Sequence, residues 1–494
     1  MSTTSRFARG FSNFRSMAHL AMGLSLGLLP SCLGADDATA QNEQAVTGIA
    51  LQRANLSMDS ILPGEQPVGS VCTEGAIRCH AHALATVDGH VQAAAAPQGW
   101  GPADLQSAYN IPTTISGTPT VAIVDAYGYS NLEADLATYR STYGLPACTT
   151  ANGCLKIVNE NGQTSPLPAN PPTNDDWTLE TALDVDMASA ACPSCKILVV
   201  QATDNAGDGL YIGQNAAAQL GATVISNSWG GPEQAGTDLT PAEAYFNHPG
   251  IAVFVSAGDA GYNDGGQGPD YPATSAYVIA VGGTSLTKTT GGRGWTEAAW
   301  SSGGSACSLS IAKPSYQTGT QCQYKATTDI AAVGDPNTGV AVYTQANGGW
   351  GVIGGTSASS PLMAAIFAAT GNGGQTSGAF VMQNAAKLND VTTGTNGTCG
   401  TILCKAGTGW DGPTGYGTPN AMMLMAQNTG TGSGSNSSGG DTGGGSNPGG
   451  GSPTGGQGVG DGDVVGGCAA GGSGAGLGMI LALGAVVTRR RRRA

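Results

Sequence analysis

Between residues 120 and 281, short apolar runs alternate with longer stretches of helical period. Thr120–Asp125, Lys196–Gln201, Thr223–Ser226, Ile251–Ser256 and Val278–Val281 are strand-length and almost continuously apolar, the pattern of strands covered on both faces. Helical spacing fills Leu132–Tyr143, Thr178–Ala190, Leu210–Leu220 and Pro241–Asn247 between them. The alternation predicts an α/β fold, a doubly wound and mostly parallel sheet with helices on both faces. Ligands of such sheets collect at the carboxyl ends of the strands, where the first run delivers Asp125. A last apolar run of helical length, Leu362–Ala369, follows a stretch of small residues, Gly354-Gly355-Thr356-Ser357-Ala358-Ser359-Ser360-Pro361.

This patterning is confined to residues 99–428. Residues 1–40 read as an export signal, with Arg6, Arg9 and Arg15 ahead of an apolar core from Met17 to Leu29. Two cleavage sites compete there: Leu29-Pro30-Ser31-Cys32, which resembles a lipoprotein box, and Ala38-Thr39-Ala40, an ordinary A-x-A site. Simple secretion is preferred, with lipidation of Cys32 kept open. Residues 41–98 are polar and end in Ala93–Ala96, as expected of a short pro-segment; His80, His82 and His90 within it could bind a metal, but a removable segment is the favoured reading. Residues 429–467 are a Gly/Ser-rich linker, and residues 468–494 an apolar span closed by Arg489–Arg493. That end is expected to stop in a membrane, and it resembles C-terminal sorting tails that a processing protease removes.

Composition narrows the partners. The formal net charge of −14 supplies no basic surface for phosphates, so nucleic acid is excluded as a partner. Ten of the 12 cysteines form close pairs, Cys72/Cys79, Cys148/Cys154, Cys192/Cys195, Cys307/Cys322 and Cys399/Cys404. Cys192-Pro193-Ser194-Cys195 lacks the second CxxC or nearby histidine of a zinc site, so local disulfides and an oxidising compartment are expected.

Ser357, among small residues at a helix start, is placed as a nucleophile would be, with free amides to meet developing negative charge. A serine hydrolase commonly takes its base from histidine, yet between Trp100 and residue 428 only His248 occurs, at the wrong end of the run Ile251–Ser256. Carboxylates supply the alternative. Glu180 and Asp184 lie at i and i+4 on one helical face among Leu179, Ala182, Leu183, Val185, Met187 and Ala188. Burial beside a like charge raises a carboxyl pKa and lets one proton be shared, which describes a tuned general base. A third acid, Asp259 in Ser256-Ala257-Gly258-Asp259-Ala260-Gly261, could hydrogen-bond an oxyanion, but only as the protonated acid.

The segments ETALD (180–184), SWG (228–230), SAGDAG (256–261), YPATSAYVIAVGGT (271–284) and GGTSASSP (354–361) together resemble the sedolisin (serine-carboxyl peptidase) family of endopeptidases, with its subtilisin-like fold. By this resemblance Ser357 is the nucleophile, Glu180 its base, Asp184 the acid sharing a proton with Glu180, and Asp259 the oxyanion donor beside the Ser357 amide. Asp125 and Trp229 would extend the hydrogen-bonded chain, and activity would peak at acidic pH. The resemblance also implies one structural Ca2+, held by Asp390 and Asp411 with backbone carbonyls of Val391, Gly407 and Gly409. Family members carry a large folded pro-domain; here only residues 41–98 precede the domain, and autocleavage within Ala93–Gly101 is expected. Polypeptides are the expected substrates, and a monomer the expected state. Two alternatives stand: a subtilisin-type enzyme using Asp125, His248 and Ser357, and an inactive binding module displayed at the cell surface.

Overall fold

A computed structural model describes residues 57–58, 66–73, 75–173 and 175–425; the expected signal, linker and tail lie outside these. The central sheet is built from β1 (Thr120–Ala126), β2 (Leu155–Asn159), β3 (Lys196–Ala202), β4 (Val224–Asn227), β5 (Ala252–Ser256), β6 (Ile279–Lys288), β7 (Trp295–Ala299) and β8 (Ile330–Val333). Their order is β7-β6-β5-β4-β1-β3-β2, with β8 also pairing β6. Every pairing is parallel except β6 with β7. The crossovers include α1 (Leu132–Thr142), α2 (Trp177–Ala191) and α3 (Gly209–Gln219), and α4 (Thr356–Ala369) follows the strand Gly349–Gly354.

Two of these helices are buried on every residue, α2 and α4, and they pack against each other. Such helices read as apolar all round because both flanks meet protein. The polar residues they carry therefore need internal partners or a chemical task. Asp176 caps α2 by accepting from the Leu179 amide at 3.1 Å, satisfying one of the orphan donors of the first turn.

Two elements differ from their expected bounds by more than about one residue at either end. Over 241–247 the helix amounts to one turn, Thr240–Glu243, because Phe246 and Tyr245 turn away into an aromatic cluster with Tyr211, Trp229 and Tyr271. The strand expected at Val278–Val281 runs on to Lys288, its second half sustained by the antiparallel hairpin with β7.

Ordered structure also begins well before Trp100. Val68–Ser70 and His82–Leu84 pair with each other, and His82–Leu84 pairs in turn with Gly349–Gly354. Arg78–Cys79 pairs antiparallel with Trp229–Pro232, whose other neighbour is Asp270–Tyr271. All five local disulfides are formed, Cys72–Cys79 among them.

Candidate active site

The carboxyl ends of β1, β4 and β5 and the starts of α2 and α4 converge on Ser357. Its mounting follows from local chemistry. Gly355 has φ 93°, a conformation open to glycine, and a Cβ there would lie 1.9 Å from the His80 carbonyl oxygen and 2.6 Å from Asp259 Oδ2. Pro361 has no N–H to give the carbonyl four residues back, that of Ser357, and the Ser228 hydroxyl reaches it instead at 3.4 Å. The Ser357 hydroxyl donates to the Ser228 carbonyl at 3.2 Å.

Glu180 and Asp184 project from α2 beside this serine and, with Asp125 from β1, form a dry group of three acids. Burial pushes Glu180 well above the usual carboxyl range, and repulsion from Asp125 adds to it; the Ser357 hydroxyl and Asp184 pull the other way. Asp184 is likewise raised by burial, then by Asp125 and Glu180, while the Ser228 hydroxyl, 2.9 Å from its Oδ1, opposes the shift. Asp125 too is raised by burial. Neither carboxyl oxygen of Glu180 or of Asp125 has a formed hydrogen bond. Trp229 is not in this carboxyl chain: its indole N–H goes to the Val124 carbonyl at 2.7 Å, bracing the end of β1.

Asp259 lies across from them, after β5. Its Oδ1 accepts from the Thr356 amide at 2.8 Å and the Thr356 hydroxyl at 2.7 Å, and its Oδ2 is 3.5 Å from His82 Nε2.

The cleft is filled by the chain itself. Arg78 pairs with Gly230 and Cys79 with Trp229; the His80 amide donates to the Ser228 carbonyl at 3.0 Å, and the Ser357 amide donates to the His80 carbonyl at 3.2 Å. Beyond His80 the strand continues as His82 opposite Gly354 and Ala83 opposite Ile353. The His80 ring enters a pocket in which Nδ1 is 2.7 Å from Ser256 Oγ and Nε2 3.5 Å from Asp270 Oδ2. Burial, then Arg78 and His82, pushes the His80 imidazole down to about 3; burial, then Asp264, pushes Asp270 up to about 8.

The sequence reading singled out Ser357, Glu180, Asp184 and Asp259, and the structure brings all four together. It missed Ser228, Thr356, Ser256 and Asp270, although each stands within or beside a quoted motif. His80 and His82 have separate partners, and His90 Nε2 faces Asp88 at 3.9 Å, so the three histidines do not converge. His248 stays in the turn at the amino end of β5, opposite the end that carries the site. Asp390 and Asp411 meet on one loop, where Asp390 Oδ2 accepts from the Gly409 amide at 3.0 Å and Asp411 Oδ2 from the Gly407 amide at 2.9 Å. Asp411 is fully buried, and burial raises it to about 7.

The profile of the subtilase family matches residues 169–417. Kumamolisin of Bacillus sp. (strain MN-32) is 30% identical over 403 residues, 74% of this chain and 71% of that protein. Sedolisin of Pseudomonas sp. (strain 101) is 29% identical over 372 residues, covering 68% and 62% of the two chains. The solved structure of Pseudomonas sedolisin, a serine-carboxyl proteinase complexed with two molecules of pseudo-iodotyrostatin, superposes with a TM-score of 0.56 at 26% identity, over 67% of this chain and 98% of that one. With the fold, the motif order and these similarities in agreement, the chain belongs to the sedolisin family of serine-type peptidases on the subtilisin-like fold.

Proposed function

We propose that this chain is a serine-carboxyl endopeptidase active at acidic pH, with Ser357 as nucleophile, Glu180 and Asp184 as the base pair and Asp259 as oxyanion donor. One observation carries the reading: the Ser357 amide holds a peptide carbonyl, that of His80, while the titratable group that meets the Ser357 hydroxyl is the Glu180 carboxyl. Glu180 removes the hydroxyl proton as Ser357 attacks, and Asp184 shares that proton while the Ser228 hydroxyl orients it. The oxyanion receives the Ser357 amide and the Asp259 acid proton. Thr356 ties up Oδ1 of Asp259, which favours the proton on Oδ2, the oxygen at the Gly355 gap beside the His80 carbonyl. The proton on Glu180 then passes to the leaving amine, and water releases the acyl group by the same route in reverse.

The reading includes one Ca2+ in the loop of Asp390, Val391, Gly407, Gly409 and Asp411. The fit is chemical: an all-oxygen donor set, two neighbouring acids, and a buried Asp411 hydrogen-bonded by the Gly407 amide and by the Thr414 amide and hydroxyl, all neutral donors. Bound there, the ion would supply charge neutralisation and fix the loop, with no part in the reaction. Export by residues 1–40 and anchoring or sorting at 468–494 complete the proposal, in keeping with five disulfides.

The test is hydrolysis of a denatured protein from about pH 3 to about pH 8. Activity should be greatest on the acid side, because Asp259 donates only while protonated. Ser357→Ala and Glu180→Ala should each lower kcat by about 10³ or more, and His248→Ala should leave it unchanged. A maximum near pH 8, or dependence on His248, would favour the histidine-based enzyme and reject this one.

A further inference from the structure

We propose that His80–Ala81 is a self-processing site: the peptide bond that Ser357 cuts first is in its own chain, and it is recognised by an imidazole-binding pocket made by Ser256 and Asp270. The proposal rests on the assignment of Ser357 as nucleophile.

Five pairings, on either side of one carbonyl, define the register. On the amino side, Arg78 and Cys79 extend the Trp229–Pro232 strand and the His80 amide binds the Ser228 carbonyl. On the carboxyl side, His82 and Ala83 pair with Gly354 and Ile353, immediately before the serine. Only one peptide carbonyl between these two sets is gripped by the Ser357 amide, that of His80. A serine's amide and hydroxyl are three bonds apart, so a carbonyl held by one lies beside the other. The bond offered is therefore His80–Ala81, upstream of Ala93–Gly101, which instead runs beside Trp350 and Val340.

The side chain before that bond is read by a built pocket. Ser256 Oγ and Asp270 Oδ2 address the two ring nitrogens, and a Cβ on Gly230 would lie 2.9 Å from His80 Cε1, so the wall is closed around an imidazole. An aliphatic side chain there would give the buried Asp270 carboxyl no ring nitrogen to face and would leave the Ser256 hydroxyl only its longer 3.4 Å bond to the Asn227 carbonyl, a penalty that discriminates against it. The loop is also held in place. Val68–Ser70 pairs with His82–Leu84, the Val71 amide binds the Ala81 carbonyl at 3.0 Å, and Cys72–Cys79 closes the turn between. That ladder joins the two sides of the cut, whereas both disulfide cysteines lie on the upstream side.

The step balances as hydrolysis. Ser357 Oγ forms an ester with the His80 carbonyl, the C–N bond to Ala81 breaks, and the serine proton reaches the Ala81 nitrogen through Glu180. Water then yields a His80 carboxylate and free Ser357.

The test uses the purified full chain at acid pH, with mass spectrometry of its fragments and a peptide assay in parallel. We expect a new amino terminus at Ala81, appearing at a rate unchanged by 30-fold dilution, and fragments that co-migrate until denatured. His80→Glu should slow the cut at least tenfold, with an unchanged circular dichroism spectrum. Asp270→Asn should lower the kcat/KM ratio of His-Ala to Leu-Ala peptides at least tenfold. A chain that hydrolyses added peptides but is uncut, or is cut elsewhere, overturns the processing site alone. Cutting that persists in Ser357→Ala overturns the nucleophile beneath it.

Discussion

Ser228 shows how much one small residue does here. Its carbonyl receives the Ser357 hydroxyl and the His80 amide, and its own hydroxyl bonds Asp184. The last of these holds the Asp184 pKa down against burial, Asp125 and Glu180. Ser228→Ala removes a downward influence, so the acids should ionise at higher pH. The acid limb of the kcat profile should move up in pH and kcat fall about tenfold, whereas a merely structural role would lower activity without moving the limb. Glu180 has a different environment, because the sulfurs of Cys72 and Cys79 lie within 4.8 Å of one of its carboxyl oxygens. Those sulfurs form a disulfide and so are not metal ligands; their effect is to keep water from the base while the loop is seated.

At the scale of elements, the site depends on two buried helices whose starts face each other across the cleft. An ordinary amphipathic helix could not carry Glu180 and Asp184 into a dry interior; α2 can because β1, α4 and α1 pack around it. The loop of Asp390 and Asp411 is the corresponding device away from the chemistry. If it holds Ca2+, adding the ion at about 100 times its Kd should stabilise the Ser357→Ala chain by about 2.7 kcal/mol. Chelation should reverse the gain, and Asp390→Asn should reduce it, as read by thermal unfolding with and without the ion. An unchanged Tm on chelation would remove the ion from the proposal.

For the molecule as a whole, the accumulation of buried acids sets an unusual pH dependence of stability. Asp125 is raised to about 7 and Asp270 to about 8, and Glu180, Asp184 and Asp186 are raised as well, all chiefly by burial. Their unfolded values lie near about 4, so between about 4 and about 8 the folded state holds more protons than the unfolded chain. Stability is then fully present below about 4 and falls as pH rises through this window. His80, lowered to about 3, acts in the opposite sense between about 3 and about 6.5, and His248, also lowered by burial, adds to it, two groups against the five acids named. The uncut Ser357→Ala chain should therefore show a higher Tm near pH 4 than near pH 8. A Tm that rises steadily toward pH 8 would contradict the assignment of Asp125, Asp186 and Asp270 as buried acids that keep their protons above the usual carboxyl range.

The parallel sheet was legible in the chain because strands covered on both faces must be apolar through their middles, as the runs at 120–125, 196–201 and 251–256 are, with polar residues only at their ends. The acid pair was legible because residues four apart on a helix share a face wherever that helix sits. The cysteine pairing was expected from proximity in the chain alone, and the five disulfides agree with it. The resemblance of ordered motifs brought Ser357, Glu180, Asp184 and Asp259 to one site, but contacts between distant residues that no motif carried stayed out of reach. His80 meets Ser256 and Asp270, and Ser357 meets both His80 and Ser228, only once the sheet has closed. Polar residues at 66–98 carry no periodic signal of their own, since their strands are completed by edges supplied from Trp229–Pro232 and Gly349–Gly354. Local pattern records which face of an element is buried, whereas long-range packing decides which element buries it. That packing is what turns a polar leader with three histidines into an occupant of the active site.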